Sequence, residues 1–195
     1  MRKNVFTLIF IGLSMTLFSV FSSCRSCVEK KEAQEQADEM YEENMKKDFV
    51  GQLCPDFTLP DINGNMFTLS EYPNDKYLVL DFWGSWCHSC IDEIPEMKRY
   101  YEKYRSRVEF IGIDVDDGVF WWKQTVKKHK LSWLQLRNEF PPPPNSPVYL
   151  FGIYLYPTTI ILAPDKTVLH IFKGTNQKKK GEGPDFYETL DELLQ

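Results

Sequence analysis

The sequence predicts an α/β domain in which a central mixed sheet is flanked by helices and preceded by a short hairpin extension. Three observations carry this expectation. Strand-like apolar runs alternate with helix-like segments between residues 77 and 136, and such alternation implies parallel pairing. Two later runs, 158–162 and 168–172, are joined by the turn sequence Ala163-Pro164-Asp165-Lys166-Thr167, which adds an antiparallel pair. Upstream, an Asn63-Gly64 step separates two short strand-like runs, the mark of a tight hairpin.

The chain has 195 residues, 43% hydrophobic and 26% charged, which suits one globular domain with appendages. At the N-terminus, Arg2 and Lys3 precede a largely apolar run from Val5 to Val20, and the small residues Ser22 and Ser23 lead into Cys24. This pattern reads as a processing signal over residues 1–23, to be excluded from the fold. An apolar run of about 16 residues lies near the lower limit for crossing a bilayer, so a retained helix is the competing reading. Removing residues 1–23 takes away Arg2 and Lys3 and no acid, and moves the formal charge from −5 to −7. A negative domain of this kind is a poor match for nucleic acid.

Residues 24–48 read as a charged, partly helical tether. From Val28 to Asp48 the chain is dominated by Glu, Lys, Gln and Asp, with Met40, Tyr41 and Met45 as its large apolar residues, too few to bury a core. The folded domain is expected from Phe49 to Gln195. Phe57-Thr58-Leu59 and Met66-Phe67-Thr68-Leu69 flank the hairpin turn. Tyr77-Leu78-Val79-Leu80-Asp81-Phe82-Trp83 suits a central strand buried on both faces. A helix is expected from about Cys87 to Arg105, a buried strand over 108–114, a helix over 118–130 and an edge strand over 133–136. Phe140, the prolines 141–144 and Asn145-Ser146-Pro147 predict a stiff extended loop. The last helix, 185–194, places Phe186, Leu190, Leu193 and Leu194 on one face.

Of the five cysteines, Cys87 and Cys90 stand apart because Cys87-His88-Ser89-Cys90 follows a buried strand and opens a helix. That junction sets two thiols close enough for a small, reversible disulfide loop. Unpaired N–H groups and the positive dipole end of the helix stabilise a thiolate at Cys87, which makes it the expected nucleophile. Cys90, one turn into the helix, is expected to resolve the mixed disulfide. Zinc is the competing reading, but the other such pair, Cys24 and Cys27, lies about 60 residues upstream instead of the roughly 15–20 of zinc ribbons. No resident metal and no cofactor are expected. Cys54, before Pro55, is read as a buried inert thiol. Phe120, Trp121, Trp122 and Trp133 are read as core and boundary aromatics.

The run Val79-Leu80-Asp81-Phe82-Trp83-Gly84-Ser85-Trp86-Cys87-His88-Ser89-Cys90 resembles the active-site strand and turn of the thioredoxin superfamily, and Tyr156-Pro157-Thr158-Thr159 its cis-proline loop. With Pro55-Asp56-Phe57 and Glu93-x-Pro95 the pattern is most similar to the membrane-anchored TlpA/ResA branch, over roughly Phe49 to Gln195. Phe21-Ser22-Ser23-Cys24 similarly resembles a bacterial lipobox, which implies a lipid anchor at Cys24 and a domain facing the periplasm or other extracytoplasmic space.

The resemblance implies a thioredoxin-like fold and a cis bond at Tyr156–Pro157, which would present the Tyr156 backbone to an incoming peptide beside Trp86. It implies that Asp81 and Glu93 handle protons for Cys90, without ranking the two. His88 and Ser89, between the cysteines, are expected to tune the redox pair. The function implied is reduction of disulfides in cell-envelope proteins, including those of cytochrome c maturation, with electrons from a membrane donor. A thiol oxidase or a disulfide isomerase would use the same residues, and a copper carrier would use His88 with both thiols. A peroxiredoxin would need a Pro-x3-Thr/Ser-x2-Cys site, and no such spacing precedes Cys87.

Overall fold

In a computed structural model of the chain, residues 28–73, 75–115, 118–139, 142–143, 145–175 and 184–195 are described. The signal-like segment 1–23, Cys24 and Cys27 lie outside these residues, as do Phe140, Pro141 and Pro144 of the proline run. Among the described residues no helix is long and apolar enough to cross a membrane.

Residues 28–44 form a helix, α1. The chain divides into two compact units between Met40 and Tyr41. In the first unit the helix is largely exposed, and it carries the surface ion pair Lys31–Glu35 at 3.6 Å. In the second, Tyr41 donates its hydroxyl to the Ile153 carbonyl at 2.8 Å.

A two-stranded antiparallel sheet follows, β1 (Thr58–Pro60) with β2 (Met66–Thr68), turned over Asp61–Asn65. Gly64, at φ +89°, supplies the left-handed residue of that turn. The main sheet contains β3 (Tyr77–Trp83), β4 (Val108–Asp114), β5 (Leu134–Arg137), β6 (Thr158–Leu162) and β7 (Val168–Lys173). Its order is β5-β4-β3-β6-β7, parallel across β5, β4 and β3 and antiparallel across β3, β6 and β7. The expected mixed sheet is present, with β3 at its centre and β5 on an edge. The β6–β7 turn is closed by Lys166 at φ +70°, whose N–H bonds Ala163.

Two long helices cross the sheet, α2 (His88–Tyr104) and α3 (Val119–His129), and the chain ends in α5 (Phe186–Leu193). Asp185 caps α5 in a reciprocal box with Glu188. Between β5 and β6 a short helix, α4 (Pro147–Leu150), begins at Pro147, the last residue of the predicted extended loop. Ser146 caps it by accepting from the Tyr149 N–H, and Pro147 stands at the first helical position, where its missing N–H costs nothing.

Strand alternation decides which β3 residues reach the site. Leu78, Leu80 and Phe82 point into one core with Ile111, Ile113, Ile160 and Phe151. Val79 points the other way, into a core built with Met97, Tyr100 and Tyr104 of α2 and Phe186 and Leu190 of α5. Asp81 and Trp83 share the parity of Val79, so both project toward α2.

Candidate active site

β3 ends at Trp83, and Gly84-Ser85-Trp86 turns the chain into α2, with the Cys87 N–H bonded to the Gly84 carbonyl at 3.0 Å. A side chain at position 84 would meet the Trp86 indole at 2.8 Å, so glycine lets the tryptophan fold back over the turn. Trp86 is 51% exposed and stands edge-on to Tyr156, with ring centroids 5.7 Å apart at 87°.

Cys87 is the N-cap of α2 and forms a disulfide with Cys90. The Cys90 N–H donates to the Cys87 sulfur at 3.2 Å, and the Ser89 hydroxyl lies 3.5 Å from the same sulfur. After reduction these contacts and the helix N-terminus would stabilise a thiolate there. Both cysteines are buried, in a cluster with Trp83 and with Trp122 and Val126 of α3. His88 is exposed and Ser89 half-buried. His88 lies in an open polar groove of about 230 Å³, with Ser85, Asp92 and Lys128.

The Tyr156–Pro157 bond is cis. Pro157 lines one small cavity, about 10 Å³, together with Cys90, Asp81, Glu93, Trp83 and Trp133. The volume suits a single water-sized group. Asp81 is half-buried as a whole residue, but its carboxyl at this cavity is desolvated; burial first, then the charge of Glu93, pushes its pKa up to about 7. Glu93, from the second turn of α2, is 4% exposed. The structure thus brings Cys87, Cys90, Asp81, Glu93, Trp86, Tyr156 and Pro157 into one region, with His88 and Ser89 on its rim. No group of three or more His, Cys, Asp or Glu side chains suited to a metal ion occurs among the described residues.

Two neighbours of the acids were not assigned to the site from the sequence. Trp133 lines the cavity from the loop before β5. Tyr187, on α5, is 6% exposed, and its phenol is held protonated by burial and by the charges of Glu93 and Asp81. Trp122 and Trp133 are buried as expected, whereas Phe120 and Trp121 are 63% and 64% exposed. The four consecutive apolar residues that open α3 cannot all face inward, and Trp122 with Val126 takes the inner face. Cys54 is a free, buried thiol whose pKa is pushed up to about 12, mainly by burial.

The AhpC/TSA family matches residues 50–187 of this chain. A thiol-disulfide oxidoreductase ResA of Bacillus thuringiensis is 30% identical over 137 residues, covering 68% of this chain and 75% of the relative. ResA of Bacillus subtilis is 28% identical over 126 residues, covering 64% and 68%. Among solved structures, a thiol-disulfide oxidoreductase from Bacteroides fragilis superposes with a TM-score of 0.61 at 28% identity, over 73% of this chain and all of that one. The thioredoxin domain of a Bacteroides vulgatus thiol-disulfide oxidoreductase gives 0.64 at 21% identity, over 76% of this chain and 100% of its own, and supports the fold.

Proposed function

The chain belongs to the AhpC/TSA family and is a thiol-disulfide oxidoreductase of thioredoxin fold, and from that premise we propose that it works as a reductase of protein disulfides in the cell envelope. The observation that carries this reading is the Cys87–Cys90 pair at the start of α2, with Pro157 and two acids on the cavity beside Cys90.

The reaction balances as one exchange of two electrons. The Cys87 thiolate attacks a substrate disulfide, forming a mixed disulfide and releasing the first substrate thiolate. Cys90 gives its proton to the Asp81/Glu93 pair and attacks the Cys87 sulfur. The Cys87–Cys90 bond closes, and the second substrate sulfur leaves and takes up a proton. The charge of Glu93 acts on the ionisation of Asp81, so the two carboxyls serve together as the base. Trp86 and Tyr156 form the wall against which the substrate chain lies, and the Tyr156 backbone pairs with it as an added strand. His88 and Ser89 adjust the stability of the Cys87 thiolate.

A membrane donor re-reduces the pair, and a lipid on Cys24 holds the protein at the extracytoplasmic face of a membrane, beyond a charged N-terminal tether. Disulfides of the cytochrome c maturation route fall within this substrate class. Peroxide chemistry is disfavoured because Leu80 and Gly84 stand where the peroxidase spacing before Cys87 requires Pro and Thr or Ser. The test is a trap: Cys90→Ser, reduced and mixed with an oxidised protein disulfide, should accumulate a mixed disulfide on Cys87, and Cys87→Ser should not. Equal trapping by the two variants would refute the assignment of roles.

A further inference from the structure

The loop that carries the cis peptide bond is held from an unexpected quarter. Between α4 and β6 the chain runs through Phe151–Leu155 to Tyr156 and Pro157, outside the sheet. Its far end is fixed by the Gly174 N–H on the Pro157 carbonyl at 2.8 Å and by the Thr158 hydroxyl on the Leu155 carbonyl at 2.6 Å. Its near end is fixed by the last turn of α1. The Tyr41 hydroxyl donates to the Ile153 carbonyl at 2.8 Å, and the Asn44 amide donates to the Tyr149 carbonyl at 3.2 Å. The Tyr41 and Tyr149 rings pack at 5.2 Å.

Gly152 shows how close the two chains come. Its φ is +57°, and a Cβ there would lie 2.3 Å from the Met45 nitrogen and 2.6 Å from the Asn44 carbonyl carbon. Both are backbone atoms, so the crossing admits glycine alone at that position. Sequence distance gives no hint of it, since Tyr41 and Ile153 are 112 residues apart.

We propose that Tyr41 and Asn44 are positioning residues for disulfide exchange: by clamping the Tyr149–Ile153 backbone they hold the Tyr156–Pro157 edge in the conformation that receives a substrate chain. The inference rests on the reductase reading above. Three residues separate the clamped Ile153 carbonyl from the Pro157 edge, and Ile153 itself is buried, so a shift at the clamp passes to Tyr156 with little slack. Neither residue touches the sulfurs or the acids. The clamp therefore acts on docking and leaves the redox pair alone.

The experiment compares the full chain with Tyr41→Phe, Asn44→Ala and the double variant, using insulin as the protein disulfide and 2-hydroxyethyl disulfide as a small probe that does not span the loop. Tyr41→Phe loses its hydrogen bond and keeps the ring, and Asn44→Ala loses its hydrogen bond with the amide. For the double variant the KM for insulin should rise about three- to ten-fold, the scale of one or two lost hydrogen bonds. Its kcat on insulin, its kinetics on the small disulfide and the Cys87/Cys90 potential should stay at wild-type values. Gly152→Ala, which wedges the two backbones apart, should move KM in the same direction. A double variant with unchanged KM for insulin and a lowered thermal midpoint would show a purely structural contact and overturn the proposal. A wild-type chain that reduces neither substrate would instead remove the reductase reading on which it rests.

Discussion

Asp81 of β3 and Glu93 of α2 line a single small cavity with Cys90, and the charge of Glu93 adds to burial in raising the pKa of Asp81 to about 7. A carboxyl tuned to that value can accept a proton from a thiol near neutrality, which an exposed aspartate at about 3.9 does poorly.

The same shift sets a dependence of stability on pH. The raised pKa means that the native state binds the Asp81 proton more tightly than the unfolded chain does. Native stability is therefore lost as pH rises from about 4 through about 7, where the unfolded carboxyl is ionised and the folded one resists. Asp81→Asn removes the ionisation, so at pH 8 it should be more stable than wild type by something on the order of a few kcal/mol, with the gap closing toward pH 4. It should also slow resolution of the mixed disulfide by about ten-fold or more near pH 7. Denaturant titrations at pH 4, 6 and 8 check this, and a gap that does not change with pH would speak against the burial of this carboxyl.

Gly84→Ala would press a methyl group against the Trp86 indole. Because Trp86 is half-exposed it can swing away, so the cost in stability should stay below about 1 kcal/mol. The edge-on contact with Tyr156 would be lost, and the KM for a protein disulfide should rise while the reduction potential holds. Tryptophan emission and steady-state kinetics on the one variant separate these outcomes, and an unchanged KM would take Trp86 out of the docking wall.

Asp185→Ala deletes the cap of α5, the helix that carries Phe186, Tyr187 and Leu190 into the core beside the acids. The loss should be about 1 kcal/mol, or roughly 2–4 °C in the thermal midpoint for a chain of this size. A midpoint within error of wild type would mean that α5 docks by apolar burial alone.

Cys54 should be chemically silent. Its thiol is buried and its pKa lies near 12, so iodoacetamide at pH 8 should label it only after unfolding. Mass spectrometry of the native, oxidised protein reads this directly. Cys54→Ala should leave disulfide reduction at the wild-type rate.

Much of this architecture was legible because its signals are local. The run from Tyr77 to Trp83 is apolar on both faces and became the central strand with those bounds, and Asn63-Gly64 marked the hairpin. Cys87 and Cys90 declared themselves by falling at a strand-to-helix junction. What stayed hidden depends on contacts far apart in the chain. Tyr187 reaches Glu93 from the last helix, and Tyr41 reaches Ile153 from the first, with no periodicity to announce either. The helix α4 had a local signal, Ser146 as cap and Pro147 at the first position, but the run of prolines before it read as continuing extended chain. Four apolar residues in a row, Val119 to Trp122, left the inner face of α3 undecided.

The most direct measurement is the equilibrium reduction potential of the full chain, followed by thiol trapping and tryptophan fluorescence, with Cys87→Ser as the control. A two-electron transition below about −230 mV that disappears in the control is the predicted result, the poise of a reductase fed by a stronger donor. A transition near −120 mV would contradict the reducing direction and mark an oxidant instead, and a transition that persists in Cys87→Ser would contradict the Cys87/Cys90 assignment itself.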